Sequence, residues 1–216
     1  MMHAGRAAKR GGELRQHIMW IAREVFLESG FERASMDVVA ARAGTTKKTV
    51  YAHFESKERL FVATFEMLRG FFLERLATPD AYADEPNEAL ARFCGRFMEM
   101  LLWDDAVRMA RVCASEAARF GGDAAEYCYA IFADVERKLA AYIVTASGIA
   151  SAQGTEFAQR LMGRVLYPRY MQTLFGVIAP LAKFDEAQLA DDFDLEPMRR
   201  AVRELNHPPR DRAAKS

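Results

Sequence analysis

The chain has 216 residues, of which 51% are hydrophobic, so it is long and apolar enough to bury a substantial core. It lacks a membrane-length apolar run and a signal-peptide pattern, which predicts a cytoplasmic protein with no membrane partner. Its charges are uneven: residues 1–60 hold 11 Lys+Arg against 7 Asp+Glu, whereas residues 61–216 hold 19 against 23. A basic head on an acidic body suits a small segment that reads nucleic acid and a larger one that avoids it.

The N-terminal residues predict an arm followed by a first helix. Residues 1–12 are small, basic and rich in glycine, which predicts a flexible arm. A helix follows, because its apolar residues recur on one helical face: Leu14, Ile18, Ile21, Ala22, Val25 and Phe26. Ser29-Gly30-Phe31 predicts the end of this helix, since glycine takes the left-handed backbone of a helix stop without steric cost.

Residues 35–54 predict two short helices joined by a tight turn. Ser35 is a suitable N-cap for the first of them, and Gly44 a suitable stop. Thr46 can cap the second helix, and Val50 and Phe54, four residues apart, can hold it against the rest of the fold. Its first turn contains Lys47-Lys48-Thr49, side chains that can reach base edges and phosphates from a helix N-terminus.

The stretch Gly44-Thr45-Thr46-Lys47-Lys48-Thr49-Val50-Tyr51-Ala52-His53-Phe54-Glu55-Ser56-Lys57-Glu58-Arg59-Leu60 resembles the DNA-binding domain of TetR-family transcriptional repressors. That resemblance implies an all-α fold. An N-terminal three-helix domain with a helix-turn-helix would be joined by a linker helix to a helical-bundle domain for ligand binding and dimerisation. The domains expected are residues 1–60 (arm and DNA-binding domain), 61–206 (sensing and dimerisation) and 207–216 (tail).

The resemblance places the recognition helix at 46–53 and implies DNA contacts by Ser35, Thr46, Lys47, Lys48, Thr49, Tyr51, His53 and Lys57. Lys47, Lys48 and Thr49 are candidates for bases, whereas Tyr51, His53 and Lys57 match positions that hold phosphates. The alternatives are a solvated face for the two lysines, a packing role for His53 and a partly core position for the Tyr51 ring. Asp37 lies in the first turn of its helix, where a carboxylate is favoured by the helix dipole. This role is preferred over a contact with cytosine, because an acid is unfavourable near phosphates. Arg6, Lys9, Arg10 and Arg15 either reach flanking DNA or only keep the protein soluble.

Helical patterns continue beyond residue 56, and strand signals are poor. Ser56 caps a linker helix that runs to Thr78-Pro79, and Pro86 begins another. The remaining helices are predicted at 104–120, 123–147 on the far side of Gly121-Gly122, 154–175 with a kink at Pro168, and 185–206 with an interruption at Glu196-Pro197. By the family resemblance, the last two form a homodimer interface.

Residues 107–120 are also similar to the sensor domain of an AefR-like branch of that family. An apolar or amphipathic ligand is the expectation, in contact with Phe93, Phe97, Met100, Trp103, Tyr127, Tyr167, Tyr170 and Met171. Tyr167 and Tyr170 flank Pro168 and are the preferred pair, because a kink frees a carbonyl and opens space. Plain core packing is the alternative for each of these residues. Six arginines in the same helices leave room for an acidic head group on the ligand: Arg92, Arg96, Arg108, Arg111, Arg164 and Arg169.

The three cysteines Cys94, Cys113 and Cys128 lack paired spacing, which indicates reduced thiols, with a redox sensor as the alternative. No catalytic or metal-ligand motif is present, so neither an enzyme nor a cofactor is expected. The leading interpretation is a homodimeric repressor that binds a pseudo-palindromic DNA operator and is released by a small-molecule inducer. One alternative is a helical small-molecule-binding protein or enzyme without a DNA role. The other is a repressor controlled by a partner protein or by thiol oxidation.

Overall fold

The computed structural model describes the backbone of residues 2–206 and the side chains of residues 11–117, 126 and 129–206. In this part of the chain, nine α-helices and one 3-10 turn account for all regular structure, which confirms the all-α prediction. The helices are α1 (Met2–Arg33), α2 (Met36–Arg42), α3 (Lys47–Phe54), α4 (Lys57–Arg75), α5 (Pro86–Leu102), α6 (Asp104–Ser147), α7 (Ser151–Leu166), α8 (Arg169–Leu174) and α9 (Glu196–Asn206); the 3-10 turn is Pro79–Ala81.

The chain divides into two compact units, and α4 and α6 contribute residues to both. The first unit comprises residues 1–71 and 108–130, and the second comprises 72–107 and 131–216. The expected boundary between residues 60 and 61 therefore falls within α4, several turns before the compact unit ends. The assignment of DNA binding to residues 1–60, of ligand sensing and dimerisation to 61–206, and of a tail to 207–216 stays a prediction.

The first unit is held together by an aromatic core. Phe26, Phe31 and Phe61 are each at most 1% exposed. The Phe61 ring lies edge-on to the other two rings, with centroid distances of 5.0 Å to Phe26 and 5.1 Å to Phe31. Edge-to-face pairs of this kind stabilise a core beyond the area that they bury. The α1 face predicted from helical spacing packs here, with Leu14 and Ile21 only partly buried, and Met109 of α6 also belongs to the cluster.

The second unit packs α5, α7, α8 and α9 around a separate apolar core. Nearly every α5 residue from Ala89 to Leu102 is buried, including Phe93, Phe97 and Met100. The apolar side of α9, formed by Met198, Ala201 and Val202, also lies in this cluster. A short backbone pairing fixes the start of α6, because Asp104 N–H donates to the Leu181 carbonyl and Leu181 N–H donates to the Leu102 carbonyl.

Two predictions about glycines differ in their outcome. Gly30 has φ of 71° and breaks the helical geometry of α1, so the predicted stop before Phe31 is confirmed. Gly121-Gly122 was expected to separate two helices, yet α6 runs from Asp104 to Ser147. That expectation was wrong, because glycine within a helix costs only about 1 kcal/mol and the flanking sequence is rich in strong helix formers. The prediction of a flexible arm over residues 1–12 was also wrong, because the backbone is helical from Met2.

Three helix boundaries near the C-terminus differ from the prediction. Pro168 does not kink one long helix but separates α7 from α8, because Tyr167 adopts an extended backbone with φ of −96° and ψ of 134°. Residues 175–195 form no helix, so a helix over 185–206 was wrong. Pro197 lies in the first turn of α9 instead of interrupting it, a position where the missing N–H costs nothing. The predicted tail 207–216 lies outside the described residues.

Candidate nucleic-acid interface and sensor core

The two helices α2 and α3 begin at capped residues, as predicted. Ser35 Oγ accepts a hydrogen bond from Asp37 N–H at 3.2 Å, and Thr46 Oγ1 accepts one from Thr49 N–H at 3.1 Å. Gly44, with φ of 63°, supplies the left-handed residue between them. Each cap satisfies an N–H that the helix itself leaves without an acceptor, so the start of α3 is sharply defined.

The buried side chains of α3 are apolar, and polar side chains of the same helix are exposed. Val50 is fully buried and Phe54 is 3% exposed. Lys47 and Lys48 are exposed, and Tyr51 is 40% exposed despite its large ring. The helix therefore presents two cations and a phenol to solvent from a rigidly held backbone. A surface of this kind can enter a DNA groove, where cations reach phosphates and guanine edges.

Lys47 is tied to an acid on the preceding helix. Its Nζ lies 2.8 Å from Asp37 Oδ2, with the Lys47 side chain 53% exposed and that of Asp37 64% exposed. The hydrogen bond from Lys47 to Asp37, together with their charge attraction, raises the pKa of Lys47 above its usual range. The helix-dipole position predicted for Asp37 is present, and its ion pair with Lys47 was not anticipated.

Lys57 differs from its predicted role as a phosphate ligand. Its Nζ donates to the backbone carbonyls of Phe31, Glu32 and Ala34 at 2.9, 3.0 and 3.2 Å, and lies 4.4 Å from the centroid of the Phe31 ring. An ammonium group has three donors, and all three are used here. A phosphate contact by Lys57 is therefore not supported by this geometry, which indicates a cap on the C-terminal end of α1.

The other predicted DNA contacts lie on or near the same surface. Thr49 is half-buried and its hydroxyl lies 2.9 Å from that of Thr46. His53 is half-buried beside Phe54, with ring centroids 6.1 Å apart, which agrees with the packing alternative. Arg15 is exposed and lies over the Phe54 ring at 4.9 Å. The predicted contacts of Arg6, Lys9 and Arg10 lie outside the described side chains.

Half of the predicted ligand contacts lie together in the second core. Phe93, Phe97 and Met100 are buried on α5, and Tyr170 is 8% exposed. Phe132 links two of them, with ring centroids 5.9 Å from Phe97 and 6.1 Å from Tyr170. Burial raises the pKa of Tyr170, so its hydroxyl stays protonated across the physiological range. These side chains can surround an apolar ligand or form a plain core.

Tyr167 and Met171 were predicted to face a ligand, but they face solvent. Tyr167 is 70% exposed and Met171 is 36% exposed. The reason is the break at Pro168, which turns α8 away from the direction that a continuous helix would take. Trp103 is half-buried at the start of α6, with its ring 5.6 Å from that of Phe184. Tyr127 lies outside the described side chains.

Two separate parts of the chain match known protein families. Residues 18–64 match the family described as bacterial regulatory proteins of the tetR family. Residues 88–193 match the C-terminal domain of AefR-like transcriptional repressors. The chain belongs to the TetR family.

Similar proteins agree with this assignment over different lengths. The transcriptional activator FasR of Mycolicibacterium smegmatis is 41% identical over 54 residues, which is 25% of each chain. A crystal structure described as a TetR-family regulator from Mesorhizobium loti superposes with a TM-score of 0.70 at 20% identity, covering 91% of this chain and 96% of that one. The flavonoid-responsive regulator FrrA superposes at 0.65 with 24% identity, covering 90% and 94%. The curated relative is thus matched over only a quarter of its length, and the solved structures show the TetR fold alone.

Among the described side chains, the most deeply buried charge makes contacts that the sequence did not predict. Arg96 is fully buried on α5, where its guanidinium group pairs with Glu99 at 2.8 Å and lies 4.6 Å from the centroid of the Phe184 ring. It also donates to the backbone carbonyls of Asp185, Glu186 and Gln188. Arg96 therefore fastens the irregular segment 184–190 to α5. It stood among the arginines considered for an acidic ligand, and these bonds occupy it.

A second feature missed by sequence reasoning is an apolar surface around α8. Five large apolar side chains between residues 167 and 178 are exposed: Tyr167, Met171, Phe175, Val177 and Ile178. Phe175 and Val177 are 75% and 73% exposed. We call this set the α8 apolar patch. The helix breaks at Pro168, where only a kink was predicted, and α8 ends at Leu174, next to the predicted helix end at residue 175.

The cysteines do not share one state. Cys94 is free and fully buried, and desolvation raises its pKa to about 12. Cys113 is disulfide-bonded, and Cys128 lies outside the described side chains. The expectation of three reduced thiols was therefore wrong for Cys113. Among the described helices, none has a stretch both long and apolar enough to cross a bilayer.

Proposed function

We propose that this TetR-family chain is a homodimeric transcriptional repressor in the cytoplasm that binds a pseudo-palindromic DNA operator through α3. In this proposal Lys47, Lys48 and Thr49 approach base edges, Tyr51 and His53 approach phosphates, and Thr46 and Ser35 lie at the helix starts that face the backbone. Two-fold symmetry places the two α3 helices in successive major grooves, roughly 34–36 Å apart or somewhat more.

One observation carries the proposal: α3 is anchored by the buried side chains of Val50 and Phe54 and exposes Lys47, Lys48 and Tyr51. A helix whose backbone is fixed by a cap and by core packing can place side chains reproducibly against base edges. The match of residues 88–193 to AefR-like repressors supports repression as the outcome. Activation, the role in FasR's name, is the alternative outcome.

A mobility-shift assay tests the proposal directly. The protein is titrated against DNA from upstream of its own gene and against a shuffled duplex of equal length and composition. We expect tighter binding to the upstream DNA, weakening steeply as salt rises, because phosphate contacts release counterions. A reporter gene under the same promoter then distinguishes repression from activation. Equal, weak binding to both duplexes would exclude the upstream region as operator, and genome-wide binding-site mapping would then decide whether the chain reads DNA.

The homodimer is supported by the α8 apolar patch. Exposed apolar surface of this kind is uncommon on monomers and marks interaction sites. It lies in the part of the chain, 154–206, where the resemblance implied dimerisation, although the helices there are shorter than expected. A second copy of the chain would cover Phe175 and Val177, and burying these apolar side chains would stabilise the dimer. Light scattering at micromolar protein concentration gives the oligomeric state.

A ligand in the second unit is the remaining part of the proposal. The aromatic group Phe93, Phe97, Phe132 and Tyr170 favours a mostly apolar inducer, and the name of FrrA makes flavonoids reasonable members of a first screen. An inducer must raise the melting temperature and weaken operator binding, because the two sites are reciprocally coupled. Compounds that raise the melting temperature equally in wild type and in Tyr170→Phe, without weakening DNA binding, would contradict this assignment.

A second candidate for control is thiol oxidation, favoured by the disulfide at Cys113. Cys94 is a poor participant, because a thiol with a pKa of about 12 is protonated and unreactive at neutral pH. The test is operator binding by reduced and oxidised protein, in wild type and in Cys113→Ser. A redox effect that disappears in Cys113→Ser supports this mode of control. Identical binding under both conditions would exclude it.

A further inference from the structure

Two adjacent lysines at the start of α3 have different surroundings. Lys47 is paired with Asp37 of α2 at 2.8 Å, whereas Lys48 has no carboxylate partner among the described side chains. Both lysines are exposed and both lie in the first turn of the proposed recognition helix. Only one of the two charges is therefore held by the protein itself before DNA arrives.

The Asp37–Lys47 pair joins two well-defined helix starts. Asp37 lies in the first turn of α2, and its N–H is bonded to Ser35 Oγ. A carboxylate at this end of a helix is favoured by the partial positive charge of the free N–H groups. Lys47 is the first residue of α3, directly after the Thr46 cap. The backbone that carries each partner is fixed at a helix start. The Lys47 ammonium group therefore has one preferred position and does not move freely over the surface.

We propose that Asp37 is a specificity-determining residue that withholds Lys47 from phosphates and directs it toward a base edge. The inference rests on the proposed function, because it assigns a role within the proposed DNA contact. One of the three donors of Lys47 is used on Asp37, and two remain for the O6 and N7 acceptors of a guanine. A carboxylate beside the groove repels phosphates, so moving Lys47 to the DNA backbone would leave Asp37 unpaired near negative charge.

The Asp37–Lys47 pair should therefore lower the protein's affinity for DNA of random sequence. A lysine that remains neutralised by Asp37 releases no counterion from the DNA, whereas a free lysine releases about one. Removing the Asp37 charge should convert Lys47 into an ordinary phosphate contact. Affinity for every sequence would rise, and most for DNA that lacks the base which Lys47 reads. Asp37 therefore controls discrimination between sequences more strongly than it controls operator affinity.

The chain provides a matched control for the charge change. Glu28 and Arg42 form a second exposed ion pair in the same unit, 2.7 Å apart, with side chains 54% and 41% exposed. Glu28→Gln and Asp37→Asn each remove one negative charge from an exposed pair that has an α2 residue as one partner. Only Asp37 is paired with a residue of α3. Exposed pairs of this type contribute little to stability, so both variants should fold normally.

The experiment uses the full chain and two duplexes: one selected from random-sequence DNA with the wild-type protein, and a scrambled duplex of equal composition. Affinities are measured across a salt series for wild type, Asp37→Asn, Lys47→Ala, the double variant and Glu28→Gln. For Asp37→Asn we expect scrambled DNA to bind about tenfold more tightly per protomer at 0.1 M salt, with a salt slope steeper by about 0.9 per protomer. The selected duplex should gain less, and the gain on both duplexes should vanish in the Lys47→Ala background.

Three outcomes would overturn the inference. One is an Asp37→Asn effect no larger than that of Glu28→Gln, and another is the same effect persisting without Lys47. In both, wild type still binds its selected duplex and the proposed function stands. The third is selection that enriches no sequence and wild type that binds neither duplex, which would overturn the proposed function together with the inference.

Discussion

Lys57 lies in a motif that suggests contact with DNA, but its side chain bonds to the protein's own backbone. Its ammonium group reaches back from the start of α4 to three carbonyls at the end of α1. The carbonyls at a helix end have no partner within the helix, and a cation placed there satisfies them and offsets their partial negative charge. Lys57 thereby holds α1 and α4 together within the first compact unit.

Replacing Lys57 by alanine should therefore destabilise the protein. Hydrogen bonds to charged groups contribute about 1.5–3 kcal/mol each in favourable cases, but these carbonyls regain water, so we expect a loss of about 2 kcal/mol in total. Chemical denaturation measures the free energy of unfolding. Lys48→Ala is the matched control and should stay within about 0.5 kcal/mol of wild type, as exposed substitutions do. Equal stability of the two variants would contradict the capping role.

Glu88 gives the protein a pH-dependent fastening between α5 and α9. Its carboxylate accepts hydrogen bonds from Arg92 at 2.7 Å and from Arg199 at 2.7 and 2.9 Å. The hydrogen bond from Arg199 is the largest cause that lowers the pKa of Glu88 from 4.5 to about 2. Because the pKa of Glu88 is lower in the folded protein, its carboxylate contributes its full stabilisation above pH 4.5. That stabilisation is lost as the pH falls from 4.5 toward 2.

Glu88→Gln should accordingly lower stability at pH 7 and make the decline below pH 4.5 shallower than in wild type. The pair is partly solvated, so about 1 kcal/mol at pH 7 is the expected size. Denaturant unfolding at pH 7, 4 and 3 measures both effects. Glu156→Gln is the control, because the Glu156–Arg160 pair is two-thirds exposed on both sides and 3.6 Å apart. Parallel pH profiles for wild type and Glu88→Gln would refute the assignment.

At the scale of elements, Arg96 holds the segment 184–190 against α5. Removing one partner of a buried ion pair leaves the other charge uncompensated, which typically costs 3–5 kcal/mol. We expect about that loss of unfolding free energy for Arg96→Met. Replacing both partners, in Arg96→Met with Glu99→Met, should recover part of it, since no charge then remains buried. A double variant that is less stable than the single one would contradict this account, and denaturant unfolding of all three proteins decides it.

Local rules predicted the parts of this fold that depend on few neighbours. The caps at Ser35 and Thr46 and the glycine stops at Gly30 and Gly44 follow from backbone chemistry within four residues. Lys57 and Arg96 could not be predicted in the same way, because their partners lie 23–26 and up to 92 residues away along the chain. Pro168 shows the same limit: its sequence position predicted a disturbance, and tertiary packing decided between a kink and a break.

The α8 apolar patch carries the prediction about assembly. Phe175 is 75% exposed, so Phe175→Glu should leave the folded protomer intact while placing an unpaired charge in the proposed interface. We expect light scattering to report a dimer for wild type and a monomer for the variant at micromolar concentration. Tyr129→Glu is the control, because Tyr129 is 65% exposed and lies outside the patch. A monomeric wild type, or a dimeric Phe175→Glu, would place the interface elsewhere or remove it.

At the scale of the whole molecule, two helices belong to both compact units. α6 begins in the second unit at Asp104 and contributes Met109 to the core of the first. The next residue toward its start, Arg108, donates from Nη2 to the Leu27 carbonyl of α1 at 2.9 Å. Inducer release, as proposed, requires that occupancy of the second unit alters the first.

The central claim is that α3 reads DNA as one of a symmetric pair. The most direct measurement is selection of binding sites from random-sequence DNA by wild type and by Lys47→Ala, followed by sequencing. We predict an enriched motif with two-fold symmetry and half-sites separated by about one helical turn or somewhat more, with base preference relaxed by roughly 1–3 kcal/mol at one symmetric position in Lys47→Ala. Absence of any enriched motif, or an asymmetric motif unchanged in Lys47→Ala, would contradict the claim.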